Sequence, residues 1–183
     1  MAGTYTPVSL NVEVTGEKLD LVTILADQRQ MLAITARGIT DDQARERTTA
    51  SDFTLGALIK HVATVIRDNV SMLQARDENS ALDMSELEEA FTFGPDQSIE
   101  YWLGELGAAG DALEEYIASV DLDDMIPQPT APWEPERVWM TARQVLLHLL
   151  REIAHHSGHA DIIRETLDGQ TTMAAIWTPP AGE

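Results

Sequence analysis

The feature that most constrains the fold is a helical apolar repeat, which occurs in four long segments of the 183-residue chain. In the second segment, Leu55, Leu58 and Val62 recur at three- and four-residue steps, which places them on one side of an α-helix. The predicted helices are residues 17–37, 54–76, 98–120 and 142–168. Four long amphipathic helices in a chain of this length predict one all-α domain over residues 1–183, built as a four-helix bundle.

Local signals at the helix ends support these boundaries. Thr141 and Gln144 match a capping box at the start of the fourth helix, and Gly169 follows its last residue, where a helix commonly stops. For the first helix, Thr15 is the predicted N-cap and Gly38 the predicted left-handed C-cap. The fourth helix therefore has the clearest bounds.

Two long connections separate the later helices. Residues 77–94 are acidic and polar, and residues 121–140 contain four prolines, so we expect no regular element in the second connection. We expect Trp133 and Trp139 to pack that connection onto the bundle. It is long enough to cross the bundle rather than join antiparallel neighbours. Residues 8–14 alternate weakly, but no strand is predicted.

Composition limits the functions that the chain can have. Twelve Lys and Arg against 31 Asp and Glu give a net charge of −19, which repels nucleic acid and anionic lipid. No segment approaches the roughly 20 apolar residues that span a bilayer, and residues 1–11 lack the pattern of a signal peptide, so we expect a cytoplasmic location without membrane or nucleic-acid partners. There is no cysteine, so any metal must be bound by His, Asp or Glu.

Four of the five histidines lie in the fourth predicted helix. At about 100° per residue, Glu152 and His156 lie about 40° apart, and His159 lies about 20° to the other side of Glu152. Val145 and Leu149 share this sector, which therefore faces the core. Burying a carboxylate beside imidazoles costs several kcal/mol unless it is compensated, and a divalent cation compensates it directly.

His61 is the one histidine outside the fourth helix, and it lies at the edge of the apolar stripe of the second. Together with the i,i+4 pair Glu152 and His156, it offers three ligands and an open position, which is typical of a catalytic metal site. Other readings remain open, because an isolated Glu/His pair is more often a surface or capping interaction. We expect His155 to face solvent and His148 to be packed or hydrogen-bonded.

Two segments carry a resemblance to a known family. Residues 146–165, LLHLLREIAHHSGHADIIRE, resemble the last-helix signature of the DinB/YfiT-like superfamily, and residues 54–62, TLGALIKHV, resemble its second-helix signature. The resemblance implies a four-helix bundle with a long crossover connection before the last helix. It also implies a divalent metal, most commonly zinc or nickel, bound by His61, Glu152 and His156. The triad with glutamate is similar to that of the mycothiol-dependent maleylpyruvate isomerase.

The resemblance also implies a class of reaction. Characterised members use the metal to bind and activate a low-molecular-weight thiol, such as mycothiol or bacillithiol, for transfer to an electrophile or for isomerisation. We therefore expect a metal-dependent thiol S-transferase-like enzyme with a small-molecule substrate. His159 would be a catalytic proton carrier, a fourth ligand or a hydrogen-bonding neighbour of the ligands. A non-catalytic ligand-binding module and a metal-dependent hydrolase are the alternatives.

The fourth helix carries more apolar surface than the metal-bearing stripe alone requires. The residues that extend it are Leu146, Leu147, Leu150 and Ile153. One bundle leaves part of such a surface uncovered, so a homodimer is predicted. The alternative is that the tryptophan-containing connection covers it.

Overall fold

The computed structural model describes residues 8–83 and 89–177, and within these ranges four long helices form an all-α bundle. The elements in chain order are α1 (Glu17–Thr35), α2 (Asp41–Arg45), α3 (Leu55–Ala75), α4 (Ile99–Ser119), β1 (Met125–Pro127), β2 (Trp139–Thr141), α5 (Ala142–Asp168) and α6 (Thr172–Trp177). The predicted fold class is confirmed, and the long helices end within two residues of their predicted bounds. Part of the predicted polar connection, 84–88, lies outside the described residues. None of the described helices combines the length and apolarity needed to cross a membrane.

The order of the helices around the bundle places α5 between α1 and α3. The helix α4 also packs on α1 and α3, on the other side. The connection from α4 to α5 therefore crosses the bundle diagonally, as its length predicts. Leu58, Leu106 and Leu149 from three of these helices are among the fully buried side chains of the shared core. This arrangement brings α3 and α5 face to face.

The helix that carries most of the histidines begins and ends as its sequence predicts. The Thr141 hydroxyl accepts a hydrogen bond from the Gln144 backbone N–H, and the Gln144 side chain accepts from the Thr141 N–H, so the capping box is complete. Gly169 ends the helix in the left-handed conformation, at φ 79°. Between these two ends the helix is continuous, so Glu152 and His156 keep the angular relation that their spacing predicts.

The predicted caps of α1 are wrong by one or two residues. Its N-cap is Gly16 rather than Thr15, without a side-chain capping bond, and a φ of 61° there suits glycine. The helix ends at Thr35 with Ala36 as its C-cap, and Gly38 takes the left-handed conformation two residues later, at φ 76°. Two short helices, α2 and α6, were not predicted, since five- and six-residue segments show little periodicity.

The prediction that residues 121–140 contain no regular element is also wrong. Strands β1 and β2 pair antiparallel over three residues, with Met125 opposite Thr141 and Pro127 opposite Trp139. A proline is tolerated there because it lies at the end of a strand in a two-stranded ribbon, where few backbone donors need a partner.

The tryptophans of this connection do not hold it against the bundle. Trp133 is 66% exposed and Trp139 is 43% exposed, so the prediction that they pack onto the helices is wrong. Polar contacts tie the connection down instead. The Arg137 guanidinium donates to the carbonyl oxygens of Ser80 and Gln128, which links the ribbon to the connection after α3.

The apolar surface predicted for a dimer is smaller than the sequence suggests. Leu146 and Ile153 are buried within the chain's own core, while Leu147 is exposed and Leu150 is partly buried. The helix α1 packs against α5 and covers part of this apolar face within the same chain. The homodimer remains a prediction.

A buried arginine joins α5 to the end of α1. Arg164 is 3% exposed, and its Nη1 donates to the carbonyl oxygens of Thr35 and Arg37 at 2.7 and 2.9 Å. Its Nε donates to both carboxylate oxygens of Asp168. These bonds satisfy helix-end carbonyls that would otherwise be buried without donors. Arg164 therefore holds the end of α1 against α5, two turns after His156.

Replacing this arginine should destabilise the fold strongly. We expect Arg164→Leu to lower the free energy of unfolding by about 3 kcal/mol, because it leaves the carbonyls without their donor and removes both guanidinium bonds to Asp168. The control is Arg47→Leu, which removes an exposed ion pair with Asp52 and should cost less than about 1 kcal/mol. Urea unfolding midpoints measure both, and equal losses would contradict the role given to Arg164.

Candidate metal centre

Two buried imidazoles face each other between α3 and α5. His61 lies in the second turn of α3 and is 7% exposed, and His156 lies near the middle of α5 and is 6% exposed. Their ring centroids are 4.7 Å apart with the ring planes at 75°. Since both helices present apolar neighbours on the same faces, the imidazoles sit in a low-dielectric environment.

Glu152 adds a carboxylate one turn before His156. Its side chain is 28% exposed, and its Oε2 lies 3.8 Å from Nε2 of His156. One potential ligand atom from each of His61, Glu152 and His156 lies within 4.8 Å of the other two. Ligand atoms on one zinc ion are about 3 to 4 Å apart, so small side-chain rotations suffice to place all three on one cation.

The electrostatic environment keeps both imidazoles neutral at physiological pH. Burial, with a smaller contribution from the neighbouring His156, lowers the pKa of His61 to about 4 against an opposing effect of Glu152. Burial likewise lowers the pKa of His156, although Glu152 raises it. A neutral imidazole has the lone pair that a metal requires.

Glu152 is held in its ionised form. Burial raises its pKa, but the hydrogen bond from Arg151 and electrostatic interactions with Arg151 and with the neighbouring His148 and His156 together outweigh burial, so that the pKa lies below its usual value. Two neutral imidazoles and one carboxylate give a donor set of charge −1. Nitrogen and oxygen donors of this kind suit a divalent cation of borderline softness better than a soft cation such as Cu(I).

Two ring nitrogens without hydrogen-bond partners indicate that these residues can accommodate a metal. Among the described residues, Nδ1 of His61 and Nδ1 of His156 are buried without a hydrogen-bond partner. A buried polar atom without a partner costs about 1 to 3 kcal/mol, and native proteins rarely leave one unexplained. A ligand on the imidazoles, or a donor that the ligand orients, would remove this cost. The residues present therefore fit a bound cation.

Two phenylalanines that the sequence analysis did not single out form the apolar wall of the cluster. The Phe91 ring stacks on His61 at 4.0 Å between centroids, and Phe53 lies 5.2 Å from Phe91 and edge-on to His156. Phe53 precedes Thr54, the N-cap of α3, a position where apolar residues commonly pack. That position was the available signal. Phe91 lies in an irregular connection and gave none.

The remaining histidines surround the cluster without joining it. His159 is partly buried, 5.7 Å from His156 between ring centroids, and its Nδ1 is also buried without a partner in the described part of the chain. His155 is exposed, as predicted, and contacts His159 at 4.4 Å between centroids. His148 is hydrogen-bonded to Arg151, as one predicted alternative has it, but it is 45% exposed rather than packed.

The second oxygen of Glu152 has its own partners on the solvent side. Nη2 of Arg151 donates to Oε1 at 2.9 Å and lies 3.0 Å from Nδ1 of His148, whose Nε2 is 3.7 Å from the same oxygen. Oε2 is thereby left on the side of His156. Such contacts orient a carboxylate towards a metal.

Fold and cluster together define an all-α bundle protein with a three-residue candidate metal site between two of its helices. The model of the mycothiol-S-transferase family matches residues 20–169, and the chain belongs to this family, within the DinB/YfiT-like superfamily that its motifs resemble. No curated protein matches the chain.

A solved structure of the same fold supports the architecture. It is described as a conserved protein from Enterococcus faecalis, with a TM-score of 0.64 and 17% sequence identity. The alignment covers 86% of this chain and all of that one. At this identity the likeness concerns the fold alone.

Without metal, the protein should lose stability as the pH falls from about 6.5 to about 4. In the unfolded chain His61 takes up a proton near its ordinary pKa of 6.5, whereas in the folded protein its pKa is about 4. Because the unfolded state binds the proton more tightly, acid lowers the free energy of unfolding by about 3 kcal/mol at this residue. Urea unfolding of the chelator-treated protein across this pH range measures the effect. His61→Leu should lose less stability than wild type over the same range, and parallel losses would contradict the burial of a neutral imidazole.

Proposed function

We propose that the protein is a metal-dependent transferase that joins a low-molecular-weight thiol of the mycothiol type to a small electrophile. The observation that carries this proposal is the cluster of His61, Glu152 and His156 in a chain that belongs to the mycothiol-S-transferase family. The chain has no cysteine, which is consistent with a thiol supplied from outside.

In this proposal, His61, Glu152 and His156 hold a divalent cation, with zinc or nickel the leading candidates. Two imidazoles and a carboxylate are ligands that both metals accept, and three protein ligands leave a position open for a substrate. A cation bound there would lower the pKa of a coordinated thiol, so that the sulfur is a thiolate near neutral pH.

His159 has the second role in the proposal. Its ring lies beside His156 but outside the group of three, which favours proton transfer or orientation of the thiol over metal ligation. In the overall transfer, a bond forms between the thiol sulfur and the electrophilic carbon, and the bond from that carbon to its leaving group breaks. The thiol proton passes to His159 and then to solvent, so that His159 returns to its neutral form.

The phenylalanines contribute by excluding water from one side. Phe91 covers a face of His61, and Phe53 lies beside Phe91 and near the His156 and His159 rings. An apolar wall beside a thiolate reduces competition from water, both as a ligand and as a nucleophile. This favours thiol transfer over the hydrolase alternative.

Metal analysis and a conjugation assay test the proposal together. Wild-type protein should bind about one divalent ion per chain and conjugate mycothiol to monochlorobimane, whereas His61→Ala and Glu152→Ala should lose the ion and about 100-fold or more of the rate. His155→Ala is the matched control, since it removes an exposed histidine from the same helix and should retain both.

The outcomes separate the candidate functions. Equal rates in wild type and both ligand variants would refute the catalytic assignment. A bound metal with thiol binding but no turnover would identify a binding module instead, and ester or amide hydrolysis without thiol would favour the hydrolase. His159→Gln should keep the metal and lose rate, which distinguishes a proton carrier from a ligand.

The contact between Arg151 and Glu152 should affect metal affinity without changing the ligands. We expect Arg151→Met to weaken zinc binding about tenfold or more, because Glu152 loses the bond that fixes its Oε1. Competition with a chelating dye measures the affinity. The control is Arg47→Met, which removes an exposed ion pair with Asp52 and no contact of Glu152; a similar loss in that variant would argue against positioning by Arg151.

A further inference from the structure

The imidazole of His61 is covered by residues 89–97, a part of the connection between α3 and α4 that we call the strap. The Phe91 ring of the strap stacks on His61 with 4.0 Å between centroids. Connections are more mobile than the helices they join unless their backbone groups have fixed partners. The position of Phe91 over His61 therefore depends on the contacts that hold the strap.

The ammonium group of Lys60 holds the start of the strap. Its Nζ donates to the carbonyl oxygens of Glu89 and Thr92 at 3.0 and 3.1 Å, so Phe91 lies between two anchored carbonyls. The same Nζ lies 5.7 Å from the centroid of the Trp102 ring, which attracts a cation. The N–H and hydroxyl of Thr92 donate to the Glu89 carbonyl at 3.1 and 2.9 Å and close the turn around Phe91. Bonds from an ionised donor are stronger than those from a neutral one, so Lys60 is the main anchor of this turn.

A second cation, Arg45 at the end of α2, holds the other end of the strap. Its Nε donates to the carbonyl of Gly94 at 3.1 Å, and its Nη2 donates to those of Pro95 and Gln97 at 2.9 and 2.8 Å. The guanidinium carbon lies 5.5 Å from the centroid of the Phe93 ring. Side chains from two helices, α2 and α3, thus hold the backbone of the strap at both ends.

The first turn of α3 provides the surface on which the strap rests. A Cβ at Gly56 would lie 2.7 to 2.9 Å from ring atoms of Phe93, so glycine is what lets that ring pack directly on the helix backbone. Gly56 and Lys60 belong to the same helix as His61. Because a helix is rigid over this length, both attachments of the strap to α3 keep a fixed distance from the imidazole.

Resting on the metal site of the proposed function, we propose that Lys60 is a positioning residue for His61. It holds Phe91 against the imidazole and so keeps water and competing ligands away from that side. Loss of the ammonium group frees the carbonyls of Glu89 and Thr92, and Phe91 then leaves His61 for part of the time. A cation bound by His61 would exchange faster in that state, because the neighbours of metal ligands control affinity as well as the ligands themselves.

Proton NMR of the metal-free protein tests the placement of Phe91 without any reaction. The stacked ring shifts the ring protons of His61 upfield, and Phe91→Leu removes this shift; the signals are identified by their absence from His61→Leu. Near neutral pH, Lys60→Met should move the His61 signals at least halfway from their wild-type position to that in Phe91→Leu. Lys60→Arg keeps a cationic donor and should restore most of the wild-type shift.

Lys18→Met is the matched control. Lys18 also donates through Nζ to a backbone carbonyl, that of Ala118 at 2.9 Å, but this bond joins α1 to α4 rather than holding the strap. The variant should leave the His61 signals at their wild-type position, and helical circular dichroism checks that every variant is folded. An unmoved His61 signal in Lys60→Met, or an equal movement in Lys18→Met, would overturn the inference.

Zinc exchange gives a second readout and separates this inference from the proposed function. Transfer of zinc from loaded protein to a chelating dye should be about tenfold faster in Lys60→Met than in wild type or Lys18→Met, and near the wild-type rate in Lys60→Arg. Equal rates among proteins that all bind zinc would overturn the role given to Lys60. If wild type binds no zinc but the His61 signals move as expected, the proposed metal site fails and the positioning of Phe91 by Lys60 stands.

Discussion

The burial of two imidazoles beside a carboxylate, between α3 and α5, is the constraint on which the rest of the site depends. In α5, His156 occupies a position of the buried stripe between Ile153 and Ala160, where an apolar side chain would otherwise pack. Because desolvation opposes charge, His61 and His156 stay neutral. The same desolvation would make a fully buried carboxylate costly, and Glu152 lies at the edge of the stripe, where water and Arg151 reach it. Helix phase thus determines which groups are neutral and which is charged.

The cluster has polar neighbours on its solvent side and apolar neighbours on its inner side, because the phase of α5 directs Glu152 outward and His156 inward. Arg151 and His148, the side chains that orient Glu152, lie on the solvent side, where water screens the guanidinium, and they contact its Oε1. On the inner side, Phe53 and Phe91 contact the imidazoles with uncharged rings. A positive charge placed among the imidazoles would compete with a metal. The cluster is consequently supported by charge on one side and by apolar packing on the other.

The parts of the fold and site that could be predicted from the sequence are those on regular helices, where apolar periodicity gives the direction of a side chain. The direction of Glu152 and His156 followed from the angular step of α5, whose capping box and C-terminal glycine were readable. His61 was a candidate third ligand as the one histidine outside that helix, and the resemblance of its motif supported it. Phe91 lies in a connection without a period, so nothing predicted its contact. The ribbon of three residue pairs is too short for an alternating pattern, and the size of Trp133 did not require burial.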